Sequence, residues 1–385
     1  MNKNLPIIYY HSVAPSQNTK WFRSYLTLEL KYFEEQLKYF KENGYKHIFL
    51  KDIIQERLDS YIAHNEKIVC LTFDDGYLDN FIYVYPLLKK YNAKATIFVN
   101  PVFVDKNNTI RKSLADYWNN KATLEEINQW GFLSWDEMRL MEQSGFVDVQ
   151  SHTLTHTKYF VSDKIVGFHH PGEDCLYFIG NEYPERLPHY IEDREFEKLI
   201  PYGYPVFEES SSIVARKADI NPSFRYSVIQ TLKDYNWNSG YDFNKLFEII
   251  KPFYDEAKRT NSIIESVETE DEYRKRVYFE LKESKEIIEK ELNKKVDICC
   301  WPHGDNNEFA HKTALEIGYT ATTIGKAPLD LMDETRFDRI GLGKSKNSIF
   351  LSNLKTRYKI ESYRKKQPFY SIFYIYNKIR YGRLP

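Results

Sequence analysis

The sequence predicts an α/β fold in which a parallel sheet or barrel is interrupted by one long insertion. Short apolar runs of strand length alternate with amphipathic segments of helical period along residues 5–157 and again along 270–323. This alternation is typical of βα units. Between about 158 and 268 the alternation is lost. A long segment placed between two parts of an α/β core usually forms a lid or a wall of the substrate site.

The individual elements follow from the spacing of apolar residues and from the residues that end each run. Strands are predicted at 5–10, 45–50, 68–73, 95–99, 146–151, 296–301 and 319–323. Helices are predicted at 28–43, 51–58, 79–91, 123–130, 134–144, 270–292 and 308–317. Gly44, Gly145 and Gly318 follow three of these helices, and glycine commonly ends a helix. Pro86 lies inside a fourth and predicts a kink.

Length and composition limit the classes of protein to which the chain can belong. Its 385 residues can hold one large domain with an insertion, divided here as 1–157, 158–268, 269–357 and a tail at 358–385. A net charge of −1 gives no basic excess for binding nucleic acid. The four cysteines have no CxxC spacing, and no apolar run is long enough for a signal peptide or a membrane span. We therefore expect a cytoplasmic protein without a disulfide framework.

Two adjacent carboxylates, Asp74 and Asp75, end the predicted strand at 68–73 and precede Gly76. Carboxylates at the end of a buried strand cost free energy unless a metal, hydrogen bonds or solvent stabilise them. A solvated Asp-Gly turn is the simpler alternative for this pattern taken alone.

Two histidines, His152 and His156, follow the predicted strand at 146–151 and can face one ion from a tight loop or one helical turn. Because parallel strands present their carboxyl ends at one edge, we expect this pair to lie near Asp74 and Asp75. One carboxylate with two imidazoles is typical of a catalytic divalent-metal site with open positions. The second carboxylate would then be a base beside that site.

These motifs resemble the polysaccharide deacetylase family, also called the NodB-homology or carbohydrate esterase 4 family. The resemblance rests on TFDDGY at 72–77 and on SHTLTH at 151–156. The flanks PIIYYHSV at 6–13, KATIFV at 94–99, LSW at 133–135 and ICCWPHG at 298–304 are similar to the branch with poly-N-acetylglucosamine deacetylases. The similarity covers residues 5–157 and about 275–325, and it implies a distorted (β/α) barrel of the NodB type with a long insertion.

The resemblance also implies roles for individual residues. Asp75, His152 and His156 would bind a divalent metal, usually zinc, and Asp74 would be the general base. A backbone N–H near residues 302–304 would stabilise the oxyanion, with His303 standing where the family often has Tyr. The candidate substrate contacts are Tyr77, Trp301, Pro302, Gly304 and Trp135, although packing in the core is the favoured alternative for Trp135.

The chain departs from the family pattern at two points. Cys300 stands where many members have an arginine that orients the base, and no histidine occurs after His311 to supply the usual general acid. The acid must therefore come from elsewhere. His11, at the end of the first predicted strand, is the first candidate and His303 the second, while a buried structural histidine is the alternative for His11.

The function implied is metal-dependent removal of an N-acetyl group from an amino sugar of a polysaccharide or of a lipid-linked glycan precursor. Two alternatives stay open. One is a deformylase or deacylase of another lipid-linked or small-molecule amide, and the other is a catalytically inactive glycan-binding assembly factor.

The tail at 359–385 is basic and aromatic. A helix there would place Phe369, Ile372, Phe373, Tyr376 and Ile379 on one face. It could contact the inner face of a membrane peripherally, or it could pack on the barrel or on a partner.

Overall fold

The computed structural model describes residues 5–17, 24–54, 67–172, 181–184, 199–328, 331, 333–343 and 348–381. The strands are β1 Ile7–Tyr10, β2 Ser12–Ala14, β3 Thr27–Glu29, β4 Tyr45–His47, β5 Lys67–Phe73, β6 Ala95–Val99, β7 Val147–Ser151, β8 Lys158–Phe168, β9 Pro205–Ser211, β10 Ala218–Ile220, β11 Ile264–Val267, β12 Ile298–Cys299, β13 Ala321–Thr323 and β14 Arg336–Phe337. The α-helices are α1 Leu30–Glu42, α2 Leu50–Ile54, α3 Tyr85–Tyr91, α4 Leu114–Trp118, α5 Leu124–Ile127, α6 Trp135–Gln143, α7 Pro222–Leu232, α8 Phe243–Arg259, α9 Glu270–Leu292, α10 Glu308–Ile317, α11 Ile349–Tyr363 and α12 Phe369–Tyr381. The part of the predicted helix at 51–58 that follows Ile54 lies outside the described residues.

One parallel sheet forms the barrel. Its strand order is β1-β5-β6-β7-β12-β13-β14, and β4 also pairs with β5. The ring is closed by Ile340, just past β14, which forms a parallel bridge with Ile8 of β1. The Ile340 amide donates to the Ile7 carbonyl at 2.8 Å, and the Tyr9 amide donates to the Ile340 carbonyl at 3.1 Å. The distorted (β/α) barrel predicted from the sequence is therefore confirmed.

Side chains alternate between the barrel interior and the layer beneath the helices, as a strand requires. Cys70, Phe98, Ile298 and Cys300 belong to the interior cluster. Cys299 belongs to the larger cluster between the sheet and the helices, so the two neighbouring cysteines lie on opposite faces of the sheet.

Helix α1 shows how the outer layer is stabilised. Its buried residues Tyr32, Phe33, Leu37 and Phe40 recur at helical spacing, and the last three are fully buried. Truncating a buried Phe to Ala costs about 3–5 kcal/mol in comparable cores. The rows of apolar residues on this and the other helices therefore stabilise the ring that positions the strand ends.

The predicted helix at 79–91 differs from expectation at its start. Asn80–Val84 form a π-helical turn, and only Tyr85–Tyr91 are α-helical, with Pro86 in the first α-helical turn. Proline has no N–H to donate and its ring crowds the preceding turn, so a wider turn before it relieves both problems.

The insertion builds a second core against the barrel. The pairs β8–β9 and β10–β11 are antiparallel, and together with α7 and α8 they bury Phe207, Val228 and Leu246. Tyr77 and Phe132 of the barrel join the same cluster. The insertion is therefore anchored on the barrel by apolar contacts. No helix in the described part of the chain is both long and apolar enough to cross a bilayer.

Candidate active site

A sharp turn after β5 aims two carboxylates at the barrel mouth. Asp75 and Gly76 both have positive φ, 71° and 68°. A Cβ added at Gly76 would lie 2.9 Å from Cγ1 of Val99, so the close approach of the β5 turn to β6 requires glycine. Asp74 and Asp75 are 3% and 2% exposed, which makes the predicted strand-end carboxylates buried residues of a site.

The loop after β7 brings both histidines to Asp75. Oδ1 of Asp75 lies 3.3 Å from Nε2 of His152 and 3.1 Å from Nε2 of His156. Thr153 and His156 have positive φ, so the loop is tightly folded. The sequence prediction that these three residues lie together agrees with this geometry.

Buried polar side chains hold that loop in place. Asn100 donates through Nδ2 to the carbonyls of His152 and Thr153. The carboxylate of Glu280, on α9, accepts from the Thr155 amide at 3.1 Å and from its hydroxyl at 2.6 Å. Glu280 was not predicted, because nothing in the sequence of a long charged helix marks one glutamate as a buried hydrogen-bond acceptor.

The three side chains fit a divalent metal. Nδ1 of His152 lies 2.8 Å from the Cys300 carbonyl oxygen, which can only accept, so Nδ1 carries a proton and donates it. In the neutral imidazole Nε2 then presents a lone pair to the Asp75 carboxylate, and a cation between them removes the repulsion. A set of two imidazole nitrogens and one carboxylate is suited to zinc and to other first-row divalent ions.

Asp74 is held separately, by an arginine from the far end of the chain. Arg339 donates from Nη1 to Oδ1 at 2.6 Å and from Nη2 to Oδ2 at 2.9 Å, a bidentate fork. Burial alone would raise the pKa of Asp74, but the charge and hydrogen bonds of Arg339 outweigh it, so that the pKa lies below its ordinary value. Asp74 is therefore a carboxylate at neutral pH.

Arg339 was not predicted from the sequence, which shows Cys300 at the position where many members of the family have the arginine. Cys300 lies beside the fork, with Sγ 3.0 Å from Nη2 of Arg339 and 3.7 Å from Oδ1 of Asp74. Arg339 follows β14 and precedes the bridge at Ile340. In the sequence, Arg339 is an arginine just past a short strand near the end of the barrel. From one sequence, such a residue cannot be distinguished from an arginine on the protein surface.

The two candidate acids lie on different sides of the cavity. Nε2 of His11 is 3.9 Å from Oδ2 of Asp74, and the His11 side chain is 23% exposed. The His303 ring packs edge-on against the His156 ring, with 4.4 Å between centroids. Pro302 has no N–H, and the Gly304 amide donates to the Trp301 carbonyl at 3.0 Å. Of residues 302–304, His303 is therefore the candidate oxyanion donor.

A cavity of about 500 Å³ opens over these groups. The described residues that line it are Tyr9, His11, Tyr25, Leu26, Asp74, Asp75, His152, His156, Lys158, Trp301, His303, Gly304, Asp305, Gly325, Lys326, Asp338 and Arg339. Within the described part of the insertion, Lys158 alone is among them.

Three predicted substrate contacts lie outside this lining. Tyr77 is buried and stacks on Phe132 at 5.4 Å between ring centroids. Trp135 packs against the barrel core, the alternative considered for it, and Pro302 is buried behind its neighbours. Trp301 and Gly304 do line the cavity.

Comparison with known proteins supports the fold. The barrel resembles the solved de-N-acetylase of Aggregatibacter actinomycetemcomitans with a TM-score of 0.51 and 19% identity, over 87% of this chain and 94% of that one. A likeness of this degree concerns the fold, which is a distorted (β/α) barrel in both chains.

Residues 62–193 match the family model described as polysaccharide deacetylase. This match confirms the resemblance predicted from the motifs.

Two curated relatives match a similar length of chain. YxkH of Bacillus subtilis (strain 168), whose name places it among the polysaccharide deacetylases, is 34% identical over 156 residues, 40% of this chain and 43% of the relative. The poly-beta-1,6-N-acetyl-D-glucosamine N-deacetylase of Escherichia coli (strain K12) is 28% identical over 152 residues, 38% of this chain and 20% of the relative. The chain thus spans less than half the length of these relatives.

Proposed function

We propose that the chain is a divalent-metal-dependent hydrolase, using zinc or a similar ion, that removes an N-acetyl group from an amino sugar. The observation that supports this most strongly is the pairing of two buried carboxylates with different partners. Asp75 faces two imidazoles, and Asp74 accepts two hydrogen bonds from the Arg339 guanidinium. One carboxylate is thereby suited to hold a cation and the other to accept a proton.

The proposed reaction is hydrolysis of the amide. A divalent cation bound by Asp75, His152 and His156 would polarise the acyl carbonyl and make water more acidic. The water oxygen attacks the acyl carbon, and Asp74 accepts the proton that the water loses. The amide of His303 is placed to donate to the developing oxyanion.

The carbon–nitrogen bond then breaks, and the leaving amine needs a proton. We assign this role to His11, because its Nε2 is 3.9 Å from the Asp74 carboxylate and its ring lines the cavity. His303 is the second candidate. The products are the acyl carboxylate, which is acetate for an N-acetyl sugar, and a free amino sugar.

The substrate class is an N-acylated amino sugar in a polysaccharide or in a lipid-linked glycan precursor. The relative in Escherichia coli is named for an N-acetylglucosamine polymer, which supports the sugar class. A lipid-linked precursor is held at a membrane. We therefore place the enzyme in the cytoplasm, in peripheral contact with the inner face of the membrane.

The inactive alternative is weakened by one contact. It depended on the missing arginine and on the missing late histidine, and Arg339 supplies a guanidinium to Asp74 from another position. The deformylase alternative differs only in the acyl group, so the same assay tests it.

The decisive experiment measures acetate and formate released from N-acetyl and N-formyl amino-sugar oligomers, before and after chelation and with Zn²⁺, Co²⁺ or Mn²⁺ added back. We expect acetate release that chelation abolishes and metal restores. His156→Ala should lose both bound metal and activity. His170→Ala is the matched control, since that ring stacks on Tyr241 away from the cavity. Full activity of metal-free enzyme, or no release from any N-acyl sugar, contradicts the proposal.

A further inference from the structure

The last two helices, α11 and α12, form a hairpin beside the barrel. Tyr358 and Phe373 pack with ring centroids 6.3 Å apart, and the Ser362 hydroxyl donates to the Phe369 carbonyl at 3.1 Å. The Arg357 guanidinium lies 5.3 Å from the centre of the Phe369 ring. The face predicted for the tail helix is therefore divided: Phe369 and Phe373 contact α11, whereas Ile372 is exposed.

Helix α11 is inverted relative to an ordinary amphipathic helix. Its buried positions include the polar residues Ser352 and Thr356, each 1% exposed. Six apolar side chains of the hairpin are instead exposed: Ile349 43%, Phe350 75%, Leu351 48%, Leu354 50%, Ile372 53% and Ile375 55%. We call these six residues the hairpin patch. Removing such side chains from water is favourable, so six of them left exposed together indicate a surface that something else covers.

The hairpin and the residues that follow it carry charge of nearly one sign. Residues 349–385 contain nine Lys or Arg and one acidic residue, Glu361, a net charge of +8 in a chain whose total is −1. Glu361 is only 5% exposed, and its carboxylate lies 3.2 Å from the Tyr45 hydroxyl and 3.6 Å from Nζ of Lys366. The one acid of the segment is thus turned inward, whereas Arg357, Lys365 and Lys366 are exposed.

The hairpin patch lies at the same end of the barrel as the cavity. Along α11, Tyr363 meets Asp338, Lys359 donates to the Gly341 carbonyl, and Nζ of Lys355 lies 3.5 Å from the Cβ position of Gly343. The helix therefore runs antiparallel to the strand segment that carries Arg339. Its first turns, with four of the six patch residues, extend toward the carboxyl ends of the strands, where the cavity opens.

We propose that the α11–α12 hairpin docks on an anionic phospholipid surface. The hairpin patch enters the interface between headgroups and acyl chains, and the surrounding Lys and Arg contact acidic headgroups. A net positive charge on the same hairpin as the bulky apolar side chains favours a membrane over a second copy of the chain. Docking this way brings the cavity to the bilayer, within reach of substrates attached there. The docking itself does not depend on the reaction.

Flotation of the full chain with vesicles tests the proposal without substrate. We expect flotation with vesicles containing phosphatidylserine, weaker flotation with phosphatidylcholine alone, and release by salt. The double variant Phe350→Ser/Leu354→Ser and the double variant Lys365→Gln/Lys366→Gln should each lower the partition coefficient by about tenfold or more.

Tyr278→Ser/Phe279→Ser is the matched control. These side chains are 46% and 55% exposed on α9, so the control removes a similar apolar area elsewhere and should float like the wild type. Circular dichroism and cleavage of a water-soluble amino sugar should be unchanged in every variant, which separates docking from catalysis. Equal flotation of all variants overturns the proposal. So does a concentration-dependent dimer in sedimentation that Phe350→Ser/Leu354→Ser abolishes, because a second copy would then cover the patch.

Discussion

The two sides of the cavity are built in different ways. The metal side consists of Asp75, His152 and His156, which follow β5 and β7, and β6 is the one strand between them in the sheet. The base side consists of Asp74 with partners from three other places in the chain: His11, Cys300 and Arg339. The metal side is formed by the turns that follow β5 and β7. The base side forms only when the barrel closes between β1 and the segment that carries Arg339.

Because of this difference, two adjacent carboxylates are suited to different tasks: Asp75 to holding a cation and Asp74 to accepting a proton. Asp74 and Asp75 are neighbours in sequence, yet Asp75 faces two imidazoles and Asp74 makes a bidentate ion pair with a guanidinium. Substitutions on one side should therefore change metal affinity, and substitutions on the other should change proton transfer.

Asp74→Asn tests the separation with the largest expected effect. The amide cannot accept the proton, so we expect a rate loss of about 10³-fold or more with bound metal retained. Acetate release and elemental analysis of the purified variant measure the two quantities. Asp75→Asn is the matched substitution one residue away, and it should lose metal as well as activity. If Asp74→Asn also loses its metal, the two sides are not independent.

His11→Gln tests the acid on the base side. We expect a loss of about 10²-fold, since protonation of the leaving amine contributes at least this much. Acetate release from an N-acetyl amino-sugar oligomer measures this loss. His303→Gln is the comparison, and a larger loss there than at His11 would transfer the role to His303.

Arg339→Met should act through the acidity of Asp74. Arg339 holds the pKa of Asp74 below its ordinary value, and without it burial raises that pKa. The acid limb of the pH–rate profile should then move to higher pH, with a rate loss of about 10- to 100-fold that is greatest at low pH. Arg339→Lys keeps a charge without the fork and should shift the limb less. An unchanged limb in Arg339→Met would show that this guanidinium does not set the acidity of the base.

Glu280→Gln is expected to have the smallest effect, confined to the metal side. Its carboxylate holds Thr155 between the two histidines, and loss of such outer contacts typically weakens metal binding by about 10- to 100-fold. Metal titration should show this weakening, while the rate at saturating metal stays near the wild-type value. A lower rate at saturating metal would mean that Glu280 also affects the base side.

The metal side could be predicted because its evidence is local. The motifs at 72–77 and 151–156 each follow a predicted strand, and parallel strands bring their carboxyl ends to one edge. Helices α9 and α10 were predicted to the residue because each is bounded by local signals, such as the capping box of Thr269 and Glu272 and the terminal Gly318.

The base side could not be predicted in the same way. Arg339 and Asp74 are 265 residues apart in the chain. No local sequence pattern near either residue predicts their contact. The π-helical turn before Pro86 and the inverted face of α11 also depend on packing rather than on local pattern. In each case a contact distant in sequence overrides the short-range signal.

Closure of the ring at Ile340 has a consequence for the order of assembly during synthesis. The strands that bear Asp75, His152 and His156 leave the ribosome well before residues 336–340, and chains tend to fold from the N-terminus as they emerge. A nascent chain would thus be able to bind the proposed divalent cation before Arg339 reaches Asp74. Pairing of β1 with Ile340 therefore brings Arg339 to Asp74 and lowers the pKa of that carboxyl. Amide hydrogen exchange at Tyr9 and Ile340 measures whether this pairing has formed.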